Sequence, residues 1–365
     1  CNVSDPVSIV SPRLDPKPWG GRELAAFGLD LPDGNPIGEA VMTSGEAPVV
    51  SGYGAGRPLG EIVEDDPDRH LGPRARAVLP GRPLFPLLVK LIDAGDNLSI
   101  QVHPDDAGAA AYDAPGKTEA WHVIAARPGA RLFAGLRPTV DLDTLMAAAE
   151  ARDGSVATLM RTIPAAVGTS ILLPAGTIHA LGAGVVVYEI QQPSDLTFRL
   201  DDWGRTDAQG RPRDLHHNEG CDAAQMGMAP ELVRPVRRRV AIGERHLLAA
   251  CRYFMLERIA LPAGGSVPLT ATGSPIVVTV ISGSAQLGRH PMAKGTSGVI
   301  WPVDDRATPL RATAPMIALV GRVPDLVQDV VAVARRAGAR DDEIAALGGP
   351  LNDVAALLAG RARDL

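Results

Sequence analysis

Short apolar runs, separated by glycine and proline, dominate the first half of the chain. They occur at residues 84–92, 98–103, 120–125, 170–173 and 185–191. Each run has the length and composition of a β-strand. In the run 98–103, apolar residues alternate with Ser99, Gln101 and His103, and alternation places successive side chains on opposite faces of a strand. The pattern therefore predicts β-structure with polar side chains gathered on one face.

A helical insert interrupts these strands. Residues 140–163 have the apolar spacing of two short helices that break at Asp153 and Gly154. Asp141 and Ser155 precede the two helices and are predicted to cap them.

The second half of the chain repeats the β pattern and then changes. Another block of β-like runs begins near Val240, and from about residue 324 the composition shifts to Ala, Asp and Arg. Helices are predicted over 325–337, 341–348 and 351–362. We therefore divide the chain into a first domain over 1–235, a second over 236–322 and a helical extension over 323–365.

Composition favours a mainly β fold. The 365 residues include 39 Gly and 32 Pro but only four Trp, four Tyr and five Phe. Many turns with little aromatic mass suit β-barrels better than a helical bundle. A net charge of −6 argues against nucleic acid or an anionic membrane as a partner, but it leaves room for a local basic pocket.

Cysteine usage and the chain start predict a cytoplasmic protein. Cys1, Cys221 and Cys251 lie far apart without a C-x-x-C pair, which favours free thiols in a reducing compartment. No apolar run approaches the roughly 18 residues that a membrane helix requires. The first residues also lack the basic and apolar regions of a signal peptide.

Two turn motifs predict a metal site. In the first, five residues separate Gly95 from Gln101, and His103 follows two positions later on the same strand face. In the second, Pro174 and Gly176 predict a tight turn with His179 at its exit. Donors from two distant strands can converge in this way at the mouth of a barrel.

Glu119, at the start of another β-like run, is the best carboxylate to complete the site. With Gln101, His103 and His179 it offers one carboxylate, one amide oxygen and two imidazoles. This set suits Zn²⁺, or else Mn²⁺, Fe²⁺ or Co²⁺, and it lacks the thiolates of many structural zinc sites. Gln101 is the weakest donor, because neutral amides bind metals poorly, and a supporting place beside the ligands is its alternative.

Two other groups of histidines are set aside. His122 lies three positions after Glu119, so strand parity directs it away from the site. The pair His216 and His217 is the rival metal motif. Adjacent residues of an extended segment face opposite ways, so we interpret this pair as part of a polar loop.

Four segments resemble a known family. They are PKPWGGREL (16–24), LLVKLIDAGDNLSIQVHPDD (87–106), GKTEAWHVI (116–124) and LPAGTIHALGAGVVVYEIQQPSDLTFRLDDWGR (173–205). From residue 7 to about 320, the chain resembles the type I mannose-6-phosphate isomerases in their short bacterial form, members of the cupin superfamily. The resemblance implies two cupin-type jelly-roll barrels, the second without metal, and one zinc ion. It also implies the interconversion of mannose 6-phosphate and fructose 6-phosphate.

The same resemblance implies roles for individual residues. The family's metal ligands fall on Gln101, His103, Glu119 and His179. Its catalytic-site residues fall on Lys90, Lys117, Asp195 and Arg199, and Ser99 matches a serine near the substrate phosphate. Longer members carry a histidine where this chain has Gly116, so here the catalytic roles rest on the two lysines, the aspartate and the arginine.

The implied reaction moves a proton between C1 and C2 of the sugar through an enediol, which a divalent metal can stabilise. Lys90 interrupts an apolar run, where an unneeded charge is costly, and as the base it requires a lowered pKa. Arg199 is predicted to hold the phosphate or the enediolate, with an ion pair to Asp201 or Asp202 as the alternative.

Each of three further residues has a functional interpretation and a purely structural alternative. Asp195 either orients Arg199 or transfers protons, or else it is only a turn residue. Lys117 either binds phosphate or is a solvated loop charge. Trp19 either lines the sugar site or packs in the core.

The leading hypothesis is a zinc-dependent isomerase of a sugar phosphate, acting as a monomer or weak homodimer. A metal-bound cupin that senses a sugar without turnover is the alternative from another class, and a different metal-dependent sugar isomerase is the alternative within the enzymes.

Overall fold

Four antiparallel sheets organise the chain. The structure is a computed structural model that describes residues 5–206, 210–238 and 240–360. Within these residues the sheets have eight, seven, five and four strands. The prediction of a mainly β protein with a few helices is confirmed.

The seven-stranded and five-stranded sheets form the first sheet pair. In spatial order, the seven-stranded sheet consists of Leu232–Val233, Ser170–Leu173, Glu119–Ala126, Val185–Gln191, Leu88–Ala94, Ile37–Thr43 and Arg13–Gly21. The five-stranded sheet consists of Phe198–Asp201, Ile100–Val102, His179–Leu181, Arg131–Leu136 and Met160–Pro164. Apolar side chains such as Ile92, Val123 and Leu132 fill the space between them.

The eight-stranded and four-stranded sheets form the second sheet pair. In spatial order, the eight-stranded sheet consists of Val236–Arg238, Glu244–Ala250, Met255–Leu261, Met316–Arg322, Ile276–Ser282, Ser297–Ile300, Val7–Val10 and Val49–Gly52. The four-stranded sheet consists of Ser266–Leu269, Thr308–Ala312, Ser284–Leu287 and His290–Ala293. Ile259, Val278 and Leu310 belong to the core of this pair.

The chain start contributes to the second sheet pair. Val7–Val10 lies between Ser297–Ile300 and Val49–Gly52, antiparallel to both. The division at residues 235 and 322 stays a prediction, and Val7–Val10 pairs across it with Ser297–Ile300. A shared core that includes Leu91, Ile190 and Leu256 joins the two large sheets.

Helices cover the edges of the sheets. They span Glu23–Phe27, Leu59–Asp65, Pro67–Val78, Asp106–Ala109, Ala110–Tyr112, Leu142–Ala151, Val156–Leu159, His217–Ala223, Leu326–Val331, Ala332–Arg336, Asp341–Ala346, Gly349–Leu351 and Asp353–Leu358. In the part of the chain that the structure describes, no helix combines the length and apolarity needed to cross a bilayer.

The helical insert differs from its prediction in two details. Asp141 caps the first helix by accepting a hydrogen bond from the Thr144 amide (2.8 Å). Ser155 makes no such side-chain cap, and its Oγ donates instead to the Ala148 carbonyl oxygen (3.2 Å). The last predicted helical residues form the strand Met160–Pro164 instead, since they pair with the edge of the five-stranded sheet.

Candidate active site and metal centre

Three predicted ligands converge at the mouth of the first sheet pair. His103 directly follows a strand, and Glu119 and His179 each begin one. Their ligand atoms all lie within 4.8 Å of one another, and the three side chains are buried. Gly176 helps to bring the strands together, because its amide donates to the His103 carbonyl oxygen (2.7 Å) and its φ of +85° suits glycine.

Hydrogen bonds orient both imidazoles toward the same point. The Nδ1–H of His103 donates to the Leu196 carbonyl oxygen (2.9 Å), and that of His179 donates to the Thr177 carbonyl oxygen (2.8 Å). Each Nε2 therefore presents a lone pair, as in metal sites where a second partner fixes the histidine tautomer. Burial, together with the charge of Lys117, lowers the pKa of His103 to about 3, so that imidazole is neutral.

The donor set fits a metal cation. His179 Nε2 and Glu119 Oε1 lie 3.2 Å apart, and within the described residues neither atom has a hydrogen-bond partner. Two buried acceptors that face each other are unfavourable unless a cation lies between them. Burial opposes the charge of Glu119, but the ammonium of Lys117 holds the pKa of its carboxyl well below the ordinary range, so the oxygen is an anionic donor.

The fourth predicted ligand, Gln101, lies beside this set. It is opposite His179 in the strand register and lines the cavity beside the three donors. Its Oε1 accepts a hydrogen bond from Ser99 Oγ (3.4 Å), so the side chain is oriented from its own strand. Ligation by Gln101 stays a prediction.

A cavity of about 390 Å³ lies beside the donors, and Gln101 and Lys117 are part of its lining. All the other residues singled out in the sequence line it, namely Trp19, Lys90, Ser99, Lys117, Asp195 and Arg199. Trp19 also belongs to the core between the two sheets, so its packing role is confirmed, and its contact with a sugar stays a prediction. The remaining polar lining consists of Arg13, Asp15, Lys17, Glu39, Glu189, Thr197 and Arg213, which the sequence reasoning missed.

Lys117 contacts two of the three predicted metal ligands and is not a solvated loop charge. Its side chain is buried, and Nζ lies 2.9 Å from His103 Nε2 and 2.8 Å from Glu119 Oε2. The interpretation as a solvated cation is therefore wrong.

Lys90 does not have the lowered pKa that a lysine base requires. Burial acts in that direction, but Glu39, Glu189 and Asp195 together raise the pKa above its ordinary value. Two of these carboxylates, those of Glu39 and Asp195, lie 3.6 Å from Nζ. The expectation of a neutral Lys90 is wrong, because the sheet surrounds it with acids.

Glu189 is the acidic residue that the sequence reasoning overlooked. It is buried on the cavity wall opposite Lys90 in the strand register, and Trp121 Nε1 donates to its Oε2 (2.8 Å). Burial, with the charge of Glu119, raises its pKa to about 7. The signal was present, since Glu189 interrupts an apolar strand as Lys90 does.

Arg199 faces the cavity from the five-stranded sheet. Its NH1 donates to the Asp214 carbonyl oxygen (2.8 Å), and burial lowers the pKa of its guanidinium. The alternative ion pair is not formed with Asp202, whose carboxylate binds Arg205 (2.6 Å), and Asp201 accepts from a backbone amide.

Asp195 is exposed, and its ion pair with Lys90 brings it to the cavity rim.

The two set-aside histidine groups have different outcomes. His122 points away from the donors and bonds to Ser170 Oγ (2.9 Å), as strand parity predicts. The polar-loop interpretation is wrong for His217 only, since His216 lies before the helix and outside regular secondary structure. His217 begins a helix, and His216 Nδ1 accepts the backbone amide hydrogen of Arg199 (3.1 Å).

Comparisons with known proteins agree with this geometry. The family model for the catalytic domain of type I phosphomannose isomerase matches residues 9–120. A mannose-6-phosphate isomerase of Streptococcus mutans is 32% identical over 293 residues, which are 78% of this chain and 87% of the relative. The mannose-6-phosphate isomerase ManA of Bacillus subtilis is 31% identical over 276 residues, or 74% and 83% of the two chains.

Solved structures give the same result. The crystal structure of the mannose 6-phosphate isomerase from Bacillus subtilis has a TM-score of 0.74 at 26% identity, covering 86% of this chain and 99% of that one. A mannose 6-phosphate isomerase bound with zinc and yttrium has a TM-score of 0.62 at 16% identity, covering 86% and 98%, and this likeness concerns the fold alone. With relatives this similar over most of their length, the chain belongs to the type I mannose-6-phosphate isomerase family of aldose–ketose isomerases.

Proposed function

We propose that this isomerase interconverts mannose 6-phosphate and fructose 6-phosphate through an enediol, with one zinc ion held by Gln101, His103, Glu119 and His179. The observation that carries the proposal is the pair of facing acceptors, His179 Nε2 and Glu119 Oε1, beside a cavity lined with charged groups. A bound zinc ion supplies Lewis acidity, which stabilises negative charge on a sugar oxygen.

Glu189 is the best group to move the proton between C1 and C2. Its carboxylate is buried on the cavity wall and held by Trp121, so its position is fixed. A general base works best when its pKa lies near the working pH. Lys90, paired with Glu39 and Asp195, stays charged and serves instead to bind sugar oxygens.

The other cavity residues contact two different parts of the substrate, the sugar oxygens and the phosphate. Lys117 touches two donors of the metal site, so it contacts the sugar oxygens nearest the metal. Arg199 and Ser99 also line the cavity and bind the phosphate, for which the planar guanidinium is well suited. Asp195 keeps Lys90 oriented at the rim.

A coupled assay tests the function. Purified protein with added Zn²⁺ is expected to convert mannose 6-phosphate to fructose 6-phosphate, and removal of the metal by a chelator is expected to abolish the reaction. Binding of the sugar phosphate without product would instead favour a sugar-sensing cupin. Turnover of another aldose phosphate, but not of mannose 6-phosphate, would favour a different isomerase.

The variant Glu189→Gln tests the proton-transfer role. It is expected to lower kcat by roughly 10²-fold, the smaller end of general-base effects. Zinc content is expected to stay at the wild-type level, because the substitution is isosteric and outside the donor set. A variant with less than a threefold loss of kcat would contradict the role. Glu244→Gln, on the second sheet pair, is the matched control.

A further inference from the structure

The segment that carries Lys117 into the site is held by hydrogen bonds within the segment and by the side chains of Gln192 and Tyr253. This segment runs over residues 104–118, between two strands of the first sheet pair. Its last three amides are held in turn: Gly116 N donates to Asp106 Oδ1 (2.8 Å), Lys117 N to the Pro104 carbonyl oxygen (3.1 Å) and Thr118 N to Gln192 Oε1 (2.9 Å). The backbone next to Glu119 is therefore fixed residue by residue.

The Asp106 carboxylate is the junction of this network. Its Oδ1 accepts from the Gly116 amide (2.8 Å) and from Gln192 Nε2 (3.0 Å). Its Oδ2 accepts from the Tyr253 hydroxyl (2.7 Å). Tyr253 lies in a turn of the eight-stranded sheet, so the second sheet pair reaches the segment through one hydroxyl group.

The C-terminal extension braces Tyr253 in turn. The guanidinium of Arg252 lies 5.8 Å from the centre of the Tyr253 ring, within the range of a cation–π contact. Arg252 donates from its backbone amide (3.0 Å) and from NH2 (2.9 Å) to the carboxylate of Asp353. Asp353 is buried at the start of the helix Asp353–Leu358. A continuous series of side-chain contacts thus joins this extension to the segment.

Gly116 is required by the same arrangement. A Cβ at this position would lie 2.6 Å from backbone atoms of Asp105 and Asp106, which is closer than atoms can pack. In this chain no side chain fits there while Asp106 holds the Gly116 amide.

We propose that Tyr253 and Asp106 form a strut, braced by Arg252 and Asp353, that positions Lys117 in the active site. The strut adds to the proposed function, on which its kinetic readout rests, because it gives the second sheet pair and the C-terminal extension a part in the site. Without the Tyr253 hydroxyl, Asp106 loses one of its three partners, and the 104–118 segment becomes free to leave the position that places Lys117 Nζ at Glu119.

The variant Tyr253→Phe tests the strut with the loss of one oxygen atom. In the zinc-loaded enzyme it is expected to lower kcat about tenfold, the scale for losing a hydrogen bond to a charged group, with KM changed less than about twofold. Tyr112→Phe, an exposed tyrosine of the same segment, is the matched control and is expected to be unchanged. An unchanged kcat in Tyr253→Phe would overturn the proposal.

A double-mutant cycle separates positioning from general stability. If Tyr253 acts through Asp106, adding Tyr253→Phe to Asp106→Ala is expected to cause no further loss of kcat, whereas additive losses would overturn the strut.

Amide hydrogen exchange gives a readout that does not need turnover. Residues 104–118 are expected to exchange faster in Tyr253→Phe while the strands of the second sheet pair stay protected, and unchanged exchange would overturn the strut. If Asp106→Ala fails to fold, the exchange result on Tyr253→Phe decides alone. A wild type that makes no fructose 6-phosphate would contradict the proposed function, and the exchange experiment would still decide the strut.

Discussion

A buried glutamate lies beside basic groups in each sheet pair, Glu119 in the first and Glu257 in the second, and the surroundings of the two differ. In the second sheet pair, Glu257 binds Arg238 directly, and its Oε2 lies 2.7 Å from Arg245 and 4.0 Å from Arg322. Both carboxylate oxygens of Glu257 thus accept from guanidinium groups. The negative charge of Glu257 is therefore neutralised by arginines of the same sheet pair.

Glu119 in the first sheet pair is left with an open oxygen. Its Oε2 accepts from Lys117, while Oε1 faces the lone pair of His179 Nε2 (3.2 Å). Both glutamates have lowered pKa values in spite of burial, Glu257 through arginines and Glu119 mainly through Lys117. A carboxylate that serves only stability has arginines on both of its oxygens, whereas one that is to bind a ligand keeps an oxygen unpaired beside an imidazole nitrogen.

Removing one imidazole is the most severe test of this difference. His179→Ala removes Nε2, one of the proposed zinc ligands, so that Glu119 Oε1 no longer has an imidazole nitrogen with which to bind the metal. Zinc content after dialysis is expected to fall below a tenth of wild type, and kcat to fall roughly 10³-fold, the scale of a lost Lewis acid. Metal analysis and the coupled assay on the same samples provide the two measurements.

The histidine control lies in the second sheet pair. His246→Ala changes a half-buried imidazole of the eight-stranded sheet and is expected to keep both zinc and turnover. Full zinc content in His179→Ala would exclude this residue as a ligand.

Removing the charge of Glu257 tests whether a carboxylate paired with arginines on both oxygens contributes to stability and not to metal binding. Glu257→Gln leaves buried guanidinium groups without their anion, so the free energy of unfolding is expected to fall by about 3–5 kcal/mol. Urea titration measures the loss, and the zinc content of the folded fraction is expected to stay at the wild-type level. Glu244→Gln changes a glutamate whose two arginine contacts are long, 3.9 Å each, and is expected to have little effect. Loss of zinc from the folded fraction of Glu257→Gln would contradict the comparison.

Spacing along the chain was sufficient to predict that His103 and His179 lie together. The turns around Gly95 and Gly176 are local, and strand alternation fixes which side chains share a face, so His103 and His179 follow from short stretches of sequence. The same parity rule also excluded His122 correctly.

Properties that depend on several strands were not predictable in this way. The raised pKa of Lys90 comes from Glu39 and Glu189 on its two neighbouring strands, and sheet order is not written in either segment. The hydrogen bond between Tyr253 and Asp106 joins residues that are 147 positions apart. Such contacts depend on how the two sheet pairs pack, which a single sequence does not specify.

The smallest effect is expected where charges of the first sheet pair influence one another. Lys90 lowers the pKa of the neighbouring Glu189, so Lys90→Met is expected to raise that pKa, by roughly one unit. Glu189 acts as a base only when ionised, and its ionised fraction decreases as the pH falls through its pKa. The acidic limb of the kcat/KM profile is therefore expected to move to higher pH in this variant, because the loss of ionised Glu189 begins earlier on acidification. Lys294→Met, which removes an exposed lysine of the second sheet pair, is expected to leave the limb in place. A limb that does not move in Lys90→Met would mean that a group other than Glu189 titrates there, and proton transfer in the first sheet pair would then need a different base.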